Sequence, residues 1–289
     1  MIRMFRQIKK RLMHYSWDLA YGNYRDKILA EGLDASEYHF ITNPYKGKKW
    51  FADPFIYKDT TDQLELFVEE FDYSIGKGRI GHLIVSKQRN SIEKLSIILE
   101  RDTHLSFPSI YRFGNNVYVL PENSASGESL MYRYDEALDR LVDPIVILEE
   151  PITDAIIQEM EDGSFQMYAT KVPVPNGKEL LIYKSKSLFG PYTPVGSRMF
   201  EKEIARMAGA FIRTTTGDYI RPAQDCTNGD YGKAVHLMRG YCVISTLLPN
   251  AQMPKYAGIH TFNKMGDTFV VDFKRYDYPC LYKLKTKIK

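Results

Sequence analysis

One pattern constrains this chain more than any other. An apolar strand, a tight turn and a second apolar strand recur five times. The first unit runs Ala52-Asp53-Pro54-Phe55-Ile56-Tyr57, a turn near Asp62, then Leu64 to Glu70. The second is Phe107 to Tyr111, a Gly114-Asn115-Asn116 turn, then Val117 to Glu122. The third is Asp154 to Ile157, Asp162-Gly163, then Phe165 to Thr170. The fourth is Ala208 to Ile212, Thr216-Gly217, then Tyr219 to Pro222. The fifth is Gly258 to Phe262, Met265-Gly266-Asp267, then Phe269 to Asp272. A period of about 50 residues is that of propeller blades built from four strands. Third strands follow at Gly81 to Val85, Ser129 to Tyr134 and Leu180 to Lys184. The expectation is an all-β chain folded as a five-bladed β-propeller, with a two-sheet sandwich as the other fold open to such strands.

The β pattern starts near Lys49, which divides the chain into an extension over 1–48 and a propeller over 49–289. Residues Met1 to Met13 read MIRMFRQIKKRLM, with Met1, Phe5, Ile8 and Leu12 at helical spacing. Basic residues interrupt this stretch throughout, so a signal peptide is not expected here. It predicts a short basic amphipathic helix, which either packs on the body or lies on an anionic membrane surface. No run of about 18 apolar residues exists to cross a membrane as a helix. A net charge of +3 over 289 residues argues against a nucleic-acid partner. Cys226, Cys242 and Cys280 are widely spaced and form no metal-ligand motif. They suit a reducing cytosol, so the expected location is cytoplasmic, with peripheral contact at the inner face of the membrane through residues 1–13. No metal and no cofactor is expected.

In a propeller the inner strands surround a central axis, and residues at equivalent strand ends converge there. The starts of the first strands offer Asp53, Ser109, Asp154, Arg206 and His260. The ends of the second strands offer Glu69 or Glu70, Glu122, Lys171, Arg221, Gln224, Asp225 and Asp272. Charged groups beside apolar strands are costly unless paired or functional, which makes this mouth the candidate site. Each also has a plain structural role open to it: a turn residue at Asp53 or Asp154, a core histidine at His260, a solvated Lys171.

At Lys49-Trp50-Phe51-Ala52-Asp53-Pro54-Phe55 the sequence resembles the first-blade signature of five-bladed glycosidase propellers, similar to glycoside hydrolase family 43-like enzymes. More closely, the chain resembles the N-terminal domain of plant glucosamine inositolphosphorylceramide transferases and its stand-alone bacterial relatives. The segments are Trp50 to Phe55, Leu105 to Ser109, Leu120 to Asn123, Arg206 to Gly209, Arg221 to Asp225, Tyr231-Gly232 and Gly258 to Thr261. The resemblance implies the propeller and a role with glycans. In its bacterial branch it implies surface-polysaccharide or capsule biosynthesis. It makes Asp53 the candidate general base. Asp154 stands where glycosidases carry a Glu as acid, and the second blade offers Ser106-Phe107-Pro108-Ser109 in place of the usual Asp. The trio is therefore incomplete, unless Glu122 supplies the acid.

Two function classes remain open. One is an enzyme acting on a glycosidic linkage, by hydrolysis or transfer, with Asp53, Glu122 and Asp154 as its paired carboxylates. Arg206, Arg221, Gln224, Asp225, His260 and Lys171 would then hold a glycan, an acidic or phosphorylated sugar, or a nucleotide sugar. The other is a non-catalytic glycan-binding or scaffold propeller in polysaccharide assembly. No GxSxG elbow or GxxxxGK[ST] loop points elsewhere.

Overall fold

A computed structural model describes residues 14–34, 38–171, 177–249 and 253–277. Its strands form five four-stranded antiparallel sheets, the blades of the expected propeller. Blade 1 holds β3 (Lys49–Asp59), β4 (Gln63–Asp72), β5 (Lys77–Ser86) and β6 (Ser91–Leu99). Blade 2 holds β7 (Ser106–Phe113), β8 (Asn116–Glu122), β9 (Ser129–Asp135) and β10 (Arg140–Leu148). Blade 3 holds β11 (Ile152–Glu159), β12 (Phe165–Lys171), β13 (Glu179–Ser185) and β14 (Thr193–Met199). Blade 4 holds β15 (Ile212–Arg213), β16 (Tyr219–Asp225), β17 (Ala234–Arg239) and β18 (Cys242–Leu247).

Blade 5 corrects the expected boundary at residue 48. Its order is β19 (Tyr256–Met265), β20 (Thr268–Asp277), β1 (His14–Asn23) and β2 (Tyr38–Phe40). β1 pairs with β20 in unbroken register from His14↔Asp277 to Asn23↔Thr268. The stretch around Trp17, Leu19 and Tyr21 alternates large apolar residues with smaller or polar ones, a strand period that the nearby basic helical pattern obscures. β1 and β2 thus belong to the ring, and the one α-helix among the described residues is α1 (Ile28–Glu31). The basic helix expected over Met1 to Met13 lies outside the described residues.

Second strands read as nearly continuous apolar runs because both of their faces are covered by neighbouring blades. In β4, Leu64, Leu66, Phe67 and Val68 are all buried. Outer strands need no such pattern, and all of β14 is exposed. Three of the first strands carry the same irregularity. The ladder shifts between Ala52 and Phe55, between Ser106 and Ser109, and between Thr153 and Ile156. At each shift one non-glycine residue takes a positive φ: Asp53 at 50°, Phe107 at 44° and Asp154 at 49°. A fourth shift, between Ile259 and Phe262, brackets His260. Such bulges re-aim a side chain that the regular pleat would turn elsewhere. Here they turn Asp53, Phe107, Asp154 and His260 to equivalent places around the axis.

Blade 4 departs from the expected pattern. Its first strand shrinks to Ile212–Arg213, with an isolated bridge Met207↔Ala223 ahead of it. Between them Gly209, at φ 148°, runs so close to blade 5 that an added Cβ would lie 2.2 Å from the Phe262 carbonyl oxygen. Close backbone contact takes the place of a continuous ladder here.

Candidate functional site

A pocket of about 580 Å³ opens on the axis. Trp50, Phe71, Trp17, Tyr15 and Tyr231 supply its aromatic wall, and Glu69, Glu122, His104, Arg206 and His260 its charged groups. Trp50 and Phe71 stack on one another at 4.7 Å and 2°. An aromatic wall with a few convergent polar groups is the usual make-up of a small-molecule site.

Beneath this pocket the expected acids are tied into the fold. Asp53 is 2% exposed, and its Oδ2 accepts the Phe107 backbone N–H at 3.1 Å. Its own N–H donates to Asp272 Oδ2 at 3.0 Å. Burial drives the Asp53 carboxyl well above the usual carboxylate range, His260 opposes this, and Glu69 and Asp272 add to it. Asp154, also 2% exposed, accepts from Gln224 Nε2 at 2.7 Å and from Arg206 Nε. Neither Asp53 nor Asp154 lines the pocket. Both fasten one blade to the next, an economical use for a charge at an axis where the strands leave polar backbone exposed to each other.

Asp272 anchors the fifth blade. Its Oδ1 accepts the backbone N–H groups of His260 at 3.1 Å and Thr261 at 2.7 Å. Its Oδ2 accepts Asp53 N–H and, at 3.1 Å, His260 Nδ1. His260 Nδ1 is also 3.2 Å from Asp53 Oδ1. Among the described residues Asp53, His260 and Asp272 form a metal-like cluster, with ligand atoms within 4.8 Å of one another. The donor set does not fit a cation. Four hydrogen bonds occupy the Asp272 oxygens, and Nδ1 must carry a proton to face two carboxylates. Burial opposes the His260 imidazolium, but Asp53 and Asp272 outweigh it and raise its pKa to about 9. Nε2 meets the Tyr231 hydroxyl, and Trp17 stacks on the ring at 4.5 Å.

Of the carboxylates, the two that reach the pocket are Glu69 and Glu122. Glu122 is held by Ser106 Oγ on Oε2 and by Ser124 N–H on Oε1, both at 3.0 Å. Glu69 is 5% exposed, and its Oε1 has no hydrogen-bond donor aligned on it. His104 Nε2 stands 3.1 Å from that oxygen, at ion-pairing distance. Burial pushes the Glu69 carboxyl up, His104 pulls it back, and Glu122 adds to the rise. The Gly78 N–H donates to His104 Nδ1 at 2.9 Å, so the neutral ring keeps its proton on Nε2, facing Glu69. Partial burial lowers and the two glutamates raise the His104 pKa, with a net upward shift, while Gly78 resists a second proton.

The other expected binding residues divide. Arg206 lines the pocket, pairs with Asp154 and lies 5.1 Å over the Tyr231 ring. Gln224 is fully buried and bridges Asp154 to the Met207 carbonyl at 2.8 Å. Arg221 turns away from the pocket. Its Nη1 donates to the Ala205 carbonyl at 2.8 Å, and burial lowers its pKa to about 10. Asp225 caps its own loop through Thr227 N–H at 2.9 Å and pairs with Lys233. Lys171 is exposed and pairs with Glu150 at 3.0 Å. None of these last four lines the pocket. Glu69 appeared in the sequence only as one of two adjacent acids, and His104, Trp17 and Tyr15 carried no signal there.

The comparisons agree with this architecture. The family described as "Glucosamine inositolphosphorylceramide transferase 1, N-terminal" matches residues 40–250. The glucosamine inositolphosphorylceramide transferase 1 of Oryza sativa subsp. japonica is 29% identical over 194 residues, 65% of this chain and 26% of that protein. Its counterpart in Arabidopsis thaliana is 27% identical over 206 residues, 69% of this chain and 26% of that protein. The chain spans about a quarter of the length of these relatives. Among solved structures, the α-L-arabinofuranosidase of Podospora anserina in complex with cellotriose aligns with a TM-score of 0.57 at 10% identity, covering 82% of this chain and 93% of that one. A thermostable family-43 glycoside hydrolase aligns at 0.50 and 11% identity, covering 65% and 72%. These two likenesses are of fold. The long family match, together with a five-bladed ring, places the chain in the family of the N-terminal domain of glucosamine inositolphosphorylceramide transferase 1.

Proposed function

We propose that the axial pocket takes the end of a neutral glycan and acts on its glycosidic linkage through Glu69 and Glu122. The observation that carries this reading is the pair itself. Two glutamates line one aromatic-walled pocket in unlike settings, one buried against His104, the other held by two hydrogen-bond donors. Carboxyls whose environments differ in this way divide the work of acid and base. Glu69, pushed up by burial, is the acid, and Glu122 is the base or nucleophile. Asp53 and Asp154 then serve as positioning residues below them.

Charge selects the ligand. Five acidic side chains, Glu69, Glu122, Asp53, Asp154 and Asp272, gather around three basic ones, Arg206, His260 and His104. That excess of acid favours a neutral glycan over a sugar phosphate or nucleotide sugar. The plant relatives are named as transferases of glucosamine on a sphingolipid, so transfer stands beside hydrolysis as the reaction class. A second reading, a glycan-binding module without turnover, draws support from Phe107, which occupies the bulge position matching Asp53 and Asp154.

The test is a thermal-shift and calorimetry panel of neutral oligosaccharides, sugar phosphates and nucleotide sugars, followed by chromatography of each bound compound. A neutral oligosaccharide that stabilises the protein and is converted supports the enzyme. Glu69→Gln or Glu122→Gln should then cut conversion by about 100-fold or more while binding persists. Binding without conversion supports the module. Stabilisation by phosphorylated sugars alone overturns the neutral-ligand reading, and no stabilisation by any of them sinks the pocket as a glycan site.

A further inference from the structure

The pocket holds one more group whose chemistry is set by what lies behind it. Tyr231 lines the cavity, and among the described residues its hydroxyl hydrogen-bonds to His260 Nε2. The direction of that bond decides what Tyr231 can do. A tyrosine that donates to a neutral imidazole has spent its proton. A tyrosine that accepts from an imidazolium keeps its proton for something else.

The geometry fixes the direction. His260 Nδ1 lies 3.1 Å from Asp272 Oδ2 and 3.2 Å from Asp53 Oδ1. Asp272 already accepts three backbone N–H groups and can only accept again, so the Nδ1 that faces it is protonated in either charge state. The ring is 2% exposed, and the two carboxyls beside it are 0% and 2% exposed. A neutral ring would leave these acids in a dry site with no cation against them, the costliest arrangement open to the cluster. Trp17 covers one face of the ring at 4.5 Å and 24°, a stacking that also favours a cation. Other charges near this group include Glu69 and Asp154, which add negative field, Arg206, whose guanidinium lies over the Tyr231 ring and is paired to Asp154, and Lys274, which donates to the Tyr231 carbonyl and pairs with Asp230. With His260 charged, Nε2–H points at the Tyr231 oxygen. The phenolic proton must leave that oxygen in another direction, and the pocket lies beside it.

We infer that Tyr231 presents its phenolic proton to the pocket, with the His260 imidazolium donating to it from behind and Asp272 and Asp53 holding that cation in place. Tyr231 is thus the pocket's fixed hydrogen-bond donor to an oxygen of the ligand. This rests on the glycan reading only for the identity of that oxygen. The direction of the Tyr231–His260 bond stands without it. The arrangement also explains Gly232, at φ 67°, where an added Cβ would lie 2.3 Å from the Trp17 ring. No other residue fits between Tyr231 and the tryptophan that covers His260.

The test needs no ligand. The protein, labelled with ¹⁵N-histidine, is titrated by NMR, with His260 identified from the loss of its signals in His260→Gln. Six histidines make the spectrum tractable. Two protonated ring nitrogens on His260 at pH 7 are expected, with a midpoint near 9. A bare Nε2 at pH 7 overturns the proposal. Tyr231→Phe supplies an independent sign. If Tyr231 accepts, its loss removes a partner of the charged ring, and the midpoint falls by about half a pH unit to one unit. If Tyr231 donates, its loss removes a partner of the neutral ring, and the midpoint rises, which rejects the proposal. A glycan panel that binds nothing would sink the proposed function and leave this result as it stands.

Discussion

The backbone N–H of Phe107 donates to Asp53 Oδ2 across 3.1 Å, so the second blade is fastened to an acid of the first. Asp53→Ala should therefore act as a structural lesion. It leaves the Phe107 N–H without an acceptor and His260 with one carboxylate fewer, at an expected cost of about 3–5 kcal/mol. Asp53→Asn keeps an acceptor for Phe107 and should cost less. Urea midpoints of the two variants at pH 7 check this order.

Stability should fall as the pH rises from about 6.5 to 9. His260 has its folded pKa raised to about 9, above the 6.5 of the unfolded chain. Its contribution is complete below 6.5 and is lost as the pH passes through 9, worth up to about 3 kcal/mol for a shift of this size. The raised carboxyl of Asp53 acts in the same sense, over the more acidic range that begins at its unfolded value. Melting temperatures from pH 6 to 10 measure the slope. In His260→Gln the alkaline part of that slope should largely vanish, and an unchanged slope would assign it to another group.

Arg206 and Asp154 should behave as one unit. Arg206→Ala strands a buried carboxylate and is expected to cost about 3–5 kcal/mol. Adding Asp154→Asn to that variant removes the stranded charge and should recover part of the loss. A double-mutant cycle in urea gives the coupling, and strict additivity would show that the two side chains act independently.

Gly78 sets the distance between His104 and Glu69. A Cβ there would lie 2.5 Å from the Leu105 carbonyl oxygen and 2.7 Å from both Glu69 Oε1 and His104 Cε1. Gly78→Ala should push these groups apart and weaken binding of a pocket ligand by about tenfold, or 1.4 kcal/mol. Calorimetry with whichever oligosaccharide binds the parent protein measures the change, and unaltered binding would remove His104 and Glu69 from the ligand's surroundings.

The propeller was legible because strand, turn and strand repeat in the sequence, and the second strands are apolar on both faces. The acids at the axis were legible as positions, and Asp53, Asp154, His260 and Asp272 do converge beside the pocket. Their work was not legible. Whether an acid meets solvent or a neighbouring blade's N–H depends on the bulges that re-aim it, and nothing in Ala52-Asp53-Pro54 announces an N–H arriving from Phe107. Alternation leaves a similar ambiguity at Glu69 and Glu70. One reaches the pocket, while the other is fully buried between Lys49 and Arg79. His104 lies between β6 and β7 and takes its place against Gly78, Glu69 and Phe71 of blade 1. β1 was missed because the basic pattern ahead of it gives way to a strand without a turn residue to mark the change.

That same strand orders the events of folding. β1 is synthesised before any blade exists, and its partner β20 is synthesised after four blades are complete. Until then β1 has only β2 beside it and blade 1 against Trp17, Leu19 and Tyr21, and its other edge is unpaired. Blades 1 to 4 can form from local hairpins as the chain emerges, but the ring can close only at the end, across the longest loop the topology allows. The pocket is assembled in that final step, since Trp17 and His260 reach it from opposite ends of the chain. Ligand binding would therefore report ring closure, and a folding intermediate with four formed blades would be blind to the ligand.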